Sequence, residues 1–262
     1  MRESSSLSKR IILSGGFGYL FLYIPLFILI LYSFNDSRVN VEWVGFTLHW
    51  YKVLFSDVQL IDSALNSLCI ALIASSVSVV LGTLAGIALH KYSLRLLPGI
   101  VLIPVAAPDH LGGVSLLLFF LMLNFTLGVA SITLAHTAFC ISFVAIAVKS
   151  RMHGMDNSII DAARDLGATP FKAFWLILVP SILPGIIAGG LMAFTLSIDD
   201  FVITFFTAGV GESTLPLAIY SMLKTGVTPE VNAASTMIIL VTLILMTVAT
   251  KLSPAMVSMK GE

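Results

Sequence analysis

Six runs of about twenty or more predominantly apolar residues dominate this chain: Ile11–Phe34, Ala64–Leu89, Leu96–Leu123, Thr126–Val148, Trp175–Ile203 and Val231–Thr250. A helix needs about 20 such residues to cross a hydrocarbon core of about 30 Å, so each run has the length of a membrane span. Of the 262 residues 58% are hydrophobic and only 11% charged, and the mean hydropathy is +1.02, which excludes an ordinary soluble domain. The expected fold is therefore an all-α membrane protein with six transmembrane helices. The first run follows Lys9 and Arg10 as a signal peptide would. It is too long for one, and it ends in Tyr32-Ser33-Phe34-Asn35 without a small-residue cleavage site.

Charge placement orients the spans. Eleven basic residues fall on one side: Arg2, Lys9, Arg10, Lys91, Arg95, Lys149, Arg151, Arg164, Lys172, Lys251 and Lys260. Three fall on the other, Arg38, Lys52 and Lys224. The imbalance places both termini and the even-numbered loops in the cytoplasm. The expected organisation is a cytoplasmic N-terminus (1–10), a first span (11–34), an external loop (35–62), a five-helix domain (63–250) with an internal loop at 149–175, and a cytoplasmic C-terminus (251–262). Trp43, Trp50 and Tyr51 in the external loop are residues that favour the membrane interface, so that loop is expected on the bilayer surface. The formal net charge is zero, which offers nucleic acid no basic field. Cys69 and Cys140 each sit in an apolar run and read as small buried hydrophobes.

Close helix contacts inside lipid require small residues. Gly82-x-x-x-Gly86 lies in the second span, and Gly185, Gly189, Ala193 and Ser197 form a stripe along the fifth. Two readings are open, tight packing within the chain and contact with a partner subunit.

The loop 149–175 carries explicit helix punctuation. Ser158 with Asp161 three positions on has the form of a capping box, which starts a helix at Ile159. Gly167 stops it after Leu166, and Thr169-Pro170 restarts the chain toward the membrane. Ala162 and Ala163 give this short helix a small-sided face.

The pattern Asp161-Ala162-Ala163-x-x-x-Gly167, nine residues, then Ile177-x-Val179-Pro180 resembles the cytoplasmic signature of permease subunits of binding-protein-dependent type I ABC importers. Asp161 replaces the usual Glu and Val179 the usual Leu. Asn35-Asp36-Ser37-Arg38, Trp43-Val44-Gly45-Phe46-Thr47, Trp50-Tyr51, Leu196-Ser197-Ile198-Asp199-Asp200-Phe201 and Leu215–Ala233, including Val227, are similar to the PotC-type second permease of spermidine/putrescine importers. That resemblance implies a six-helix permease bundle in a bacterial inner membrane. It implies partners as well: a dimer of ATP-binding subunits, a second homologous permease and a periplasmic polyamine-binding protein. The residues implied in ATPase coupling are Asp161, Ala162, Ala163, Gly167, Ile177 and Pro180.

Ionisable residues at membrane depth face a cavity or a partner by default. Asp109 lies about halfway along the third run, after Pro104 and Pro108, where broken backbone can line a cavity. Asp199 and Asp200 close the fifth. At 100° per residue Asp199 shares a face with Thr195, Met192 and Ala188, whereas Asp200 projects near the small-residue stripe. Asp199 is thus the expected path residue and Asp200 a packing or interface acid, although both belong to the candidate path. Phe201 and Tyr220 are candidate cation-π partners for a substrate ammonium. His136 lies mid-membrane and reads as a hydrogen-bonded helix contact.

No metal-ligand spacing, catalytic motif or nucleotide-binding glycine loop occurs, so no cofactor is expected in this chain, and the resemblance implies that ATP and Mg bind in the partner ATPase. Two alternatives stay open, an importer permease for another small solute and a proton-coupled secondary transporter; a third, an intramembrane enzyme, needs a nucleophile with a base or a metal constellation at membrane depth, and the sequence offers none.

Overall fold

A computed structural model describes residues 2–37, 42–92, 95–155, 158–226 and 228–252. Arg38, Val227, Lys260 and the last ten residues, all used in the sequence reading, lie outside the described residues. Apart from one isolated antiparallel bridge, Asn35 to Phe46, the described chain is helical. The elements are α1 (Arg2–Tyr32), α2 (His49–Leu54), α3 (Val58–Lys91), α4 (Leu97–Ala106), α5 (Asp109–Met122), α6 (Val129–His153), α7 (Ser158–Asp165), α8 (Pro170–Ala173), a π-helical turn (Phe174–Leu178), α9 (Val179–Asp199), α10 (Val202–Thr207), α11 (Leu215–Thr225) and α12 (Pro229–Leu252).

Among the described residues four helical stretches are long and apolar enough to cross a membrane: Gly15–Tyr32, Val58–Lys91, Val129–His153 and Pro170–Asp199. The pair α4 and α5 makes a fifth if it is counted as one span, but it bends by 114°. The third apolar run is therefore not one continuous helix. Pro108 disfavours helical backbone at the residue before it, and Ala107 is extended at φ −78° and ψ 141°. Asp109 consequently sits at the first position of a new helix rather than midway along an old one.

The chain divides into two compact units. The first comprises Met1–Ile61 and Ile219–Val241. Its best-defined feature is a polar knot after α1. Asn35 is fully buried, donates from Nδ2 to the Glu42 carbonyl at 2.8 Å and accepts from the Val44 N–H at 2.9 Å. The Trp50 indole donates to the Asn35 carbonyl at 2.8 Å, and the Ser33 and Tyr51 hydroxyls share a hydrogen bond of 2.7 Å. Phe34 stacks on Phe46 at 5.2 Å between ring centres. A chain folding back on itself beside a membrane must satisfy its backbone groups internally, and Asn35 does so with both ends of its amide. The segment expected as an external loop thus contains α2, and α3 begins at Val58, well before the expected Ala64.

The second unit comprises Asp62–Ala218 and Thr242–Glu262. Helix α6 is its axis, packing on α4, α9 and α10. Cys140, Val144, Val148 and Met152 of α6 form a buried cluster with Leu178, Ile182 and Ala193. Both small-residue stripes face α6. A Cβ placed on Gly82 would lie 2.6 Å from the Val144 Cβ and 2.8 Å from the Ile141 carbonyl oxygen, and one on Gly185 would lie 2.7 Å from the Arg151 Cβ. The stripes therefore pack within the chain, where they let the helices approach closely beside the buried side-chain cluster. Cys140 is buried as expected, but Cys69 is exposed on α3. The fifth run is likewise interrupted: α9 ends at Asp199, Asp200 is extended (φ −68°, ψ 125°), and α10 starts at Val202.

Candidate functional site: the loop helix and the acids at the helix breaks

Helix α7 begins at Ser158, one residue earlier than the capping-box reading placed it. Its end follows the sequence logic in detail. Gly167 has φ +87°, a conformation that strains any residue with a Cβ. The Ala168 N–H donates to the Ala163 carbonyl at 3.0 Å and the Gly167 N–H to the Arg164 carbonyl at 2.9 Å, which is the Schellman pair. Thr169 then caps α8 by accepting from the Lys172 N–H at 3.3 Å, with Pro170 at the first helical position.

This helix has no buried residue. Its apolar anchor is Ile160, which packs with Met155 and Phe174 against the α6 cluster. Asp161 and Ala162 are exposed and Ala163 is half-buried. Around them stand Ile159, Leu166 and Phe171, which are 49%, 90% and 73% exposed. Two alanines thus stand within an exposed apolar rim on this helix.

A π-helical turn joins α8 to α9. Pro180 has no N–H to donate, so the backbone just before it loses a regular helical bond and widens into the i→i+5 pattern at Phe174–Leu178. Ile177 is half-buried within this turn and Pro180 is exposed. The Ser181 hydroxyl donates to the Ile177 carbonyl at 2.6 Å, and the Arg151 Nε donates to the Ser181 carbonyl at 3.2 Å, which ties the end of α6 to the start of α9. The π turn has no signature in composition and escaped the sequence reading. Its one clue was Pro180.

The acids separate into two environments. Asp109 is exposed at the start of α5 and lines a half-open, largely apolar cavity of about 260 Å³ together with Pro104, Pro108, Ser115, Phe139 and Ile203. Asp199 is exposed at the end of α9, one turn beyond Thr195, whose hydroxyl bonds back to the Leu191 carbonyl at 2.9 Å. Asp200 instead turns into the unit. Its carboxylate accepts from the Thr204 N–H at 2.9 Å, the Ile203 N–H at 3.4 Å, the Thr204 hydroxyl at 3.1 Å and the His136 imidazole at 3.2 Å. The helix break lets Asp199 and Asp200 take these separate roles. Phe201 is half-buried after the break, its ring 5.6 Å from that of Phe205. Tyr220 belongs to the other unit, where Lys224 already stands over its ring at 5.0 Å. Among the described residues no group of three or more His, Cys, Asp or Glu side chains is arranged to hold a metal.

Comparison with known proteins agrees with these features. Residues 78–257 match the family described as binding-protein-dependent transport system inner membrane component. The chain is 41% identical over 230 residues to the spermidine/putrescine transport system permease protein PotC of Haemophilus influenzae, covering 87% of this chain and 90% of that protein. It is 40% identical over 240 residues to PotC of Escherichia coli K12, covering 89% and 91%, and 41% identical over 232 residues to the putrescine permease PotI of the same organism, covering 85% and 83%. In fold it is similar to a chain of a bacterial ABC transporter that imports the acidic polysaccharide alginate, with a TM-score of 0.71 at 18% identity over 96% of this chain and 98% of that one. A chain of the MetNI methionine transporter gives 0.63 at 18% identity over 75% and 95%.

Proposed function

The chain belongs to the binding-protein-dependent inner membrane permeases, transport subunits of ABC importers rather than enzymes, and from that premise we propose that its cargo is a polyamine, spermidine or putrescine. The observation that carries this reading is the joint one of about 40% identity to polyamine permeases along most of the chain and two exposed carboxylates at helix breaks. A polyamine is a string of ammonium groups on an apolar chain. Carboxylates satisfy the charges, and apolar or aromatic walls accept the methylenes. The cavity beside Asp109 has this character, with one acid at the edge of a mostly apolar lining.

In this reading the chain spans the membrane six times with both ends in the cytoplasm, and α7 faces a dimer of ATP-binding subunits. A second homologous permease completes the path and a periplasmic polyamine-binding protein delivers the substrate. ATP and Mg bind in the ATPase, and this chain holds no cofactor. Asp109, Asp199, Thr195 and Phe201 line the route. Asp200 supports it from within.

The charges are the most testable part. Asp109→Asn and Asp199→Asn are each expected to raise the KM for spermidine uptake by about one to two orders of magnitude, since a charged hydrogen bond is worth roughly 1.5–3 kcal/mol. The measurement is labelled uptake into vesicles holding intact transporter. Unchanged KM in the double variant, with assembly intact, removes these acids from the path.

A further inference from the structure

The interrupted backbone between α9 and α10 has to be held by something, because neither helix continues through Asp200 and α10 is only six residues long. The structure shows what holds it. His136 is 2% exposed, and its ring lies among three side chains drawn from before, at and after the break. Its Nδ1 is 2.8 Å from the Ser197 hydroxyl on α9, and its Nε2 is 3.0 Å from the Thr204 hydroxyl on α10 and 3.2 Å from the Asp200 carboxylate at the break. A carboxylate only accepts, so Nε2 carries a proton and donates to Asp200, while Nδ1 shares a hydrogen bond with Ser197. Ser197 is 5% and Thr204 0% exposed, so none of these groups can turn to water instead.

A second tie completes the attachment. The Ser131 hydroxyl, one and a half turns before His136 on α6, bonds to the Thr207 carbonyl at the end of α10 at 2.7 Å. Helix α10 is thus laced to α6 at both ends. On its other side the Phe206 ring lies against Gly113 of α5, where an added Cβ would come within 2.6 Å, and Ile203 forms part of the cavity wall beside Asp109. One imidazole therefore fixes where the α9 end, the extended Asp200 and the cavity-lining face of α10 stand.

We infer that His136 is the positioning residue of the translocation path: by bonding Ser197, Asp200 and Thr204 at once, it holds the break that presents Asp199 and Phe201. The inference rests on the reading of Asp199 and Phe201 as path residues, but the mechanical half can be measured without substrate. His136 touches no substrate in this account. It acts through Asp200, whose carboxylate would otherwise leave the α10 amides incompletely organised.

The test uses the whole transporter in lipid nanodiscs and two readouts, amide hydrogen exchange across 202–207 and the KM and maximal rate of spermidine uptake after reconstitution. His136→Leu is expected to speed exchange of the 202–207 amides about tenfold or more while the α6 segment 140–148 keeps its protection, and to raise KM about tenfold with a smaller change in maximal rate. His136→Gln, whose amide can donate to Asp200 and accept from Ser197, is expected to recover most of both. Thr204→Val is the milder variant, removing one donor to Asp200 at nearly constant volume, and it decides by the same readouts if the leucine variant fails to assemble. Unchanged exchange at 202–207 in the assembled variants overturns the inference. Faster exchange with an unchanged KM upholds the positioning role and overturns the path reading of Asp199 and Phe201 instead.

Discussion

Ala163→Trp in the assembled transporter is expected to lower ATP-driven uptake by about two orders of magnitude while the chain still inserts and still co-purifies with its permease partner. The reasoning starts from the size of α7. Eight residues with no buried side chain, anchored through the partly buried Ile160, hold a defined position only weakly by their own packing. The helix is defined by its caps and by whatever covers its apolar rim. Its alanines let the partner approach closely, and a bulky ring at the half-buried Ala163 both overpacks the anchor side and holds the partner off, at a cost of roughly 1–3 kcal/mol for the overpacking alone. Transport needs the two conformations of the bundle to be selected differentially by the ATPase, and lost contact in either state removes that selection. Gly167→Val works through the backbone. At φ +87° a side chain costs about 1–2 kcal/mol, more for a β-branched one, and the Schellman bonds from Gly167 and Ala168 open. Paired assays of ATP hydrolysis and uptake check both variants: hydrolysis persists and uptake falls. If both quantities match the unsubstituted protein, α7 is not the coupling element.

The largest effect on assembly is expected at Gly82. A Cβ there lies 2.6 Å from the Val144 Cβ and 2.8 Å from the Ile141 carbonyl oxygen, so Gly82→Leu forces α3 away from α6 along the backbone rather than at a flexible side-chain tip. Helix α6 carries Ser131, His136, Cys140 and Val144, and it is the common partner of α4, α9 and α10. Displacing it disturbs every contact that organises the second unit. The yield of monodisperse complex is expected to fall about tenfold or more. Gly99→Leu is the control, because nothing lies within 4 Å of its added Cβ and α4 accepts a leucine without repacking. Equal yields from both variants contradict the close approach of α3 to α6.

How far the sequence reached is clearest at individual residues. Gly167 and Thr169-Pro170 act through the backbone of their own neighbours, so their signal is local and complete in the sequence. Ser158 missed by one position because helix starts are the least sharply encoded part of a helix. The break at Pro108 was written in the two prolines, yet its 114° angle was not, since a proline only forbids continuation and the packing of α5 on α10 decides the direction. Asp199 and Asp200 were separable on a regular wheel, but the wheel gave no hint that α9 stops between them. That stop is enforced by His136, which lies 64 positions earlier in the chain, and no periodicity links residues so far apart. The same holds for the stripes. Their small residues announce a close contact, while only the fold names α6 as the other side of it.

The central claim, that a separate ATPase drives polyamine through this bundle by way of α7, meets its most direct test in proteoliposomes holding the complete transporter and loaded with labelled spermidine outside. Uptake that requires ATP and the binding protein, and that Ala163→Trp eliminates while hydrolysis continues, is the expected result. Uptake driven by a proton gradient without ATP, or ATP-driven uptake indifferent to the residue at 163, would contradict it.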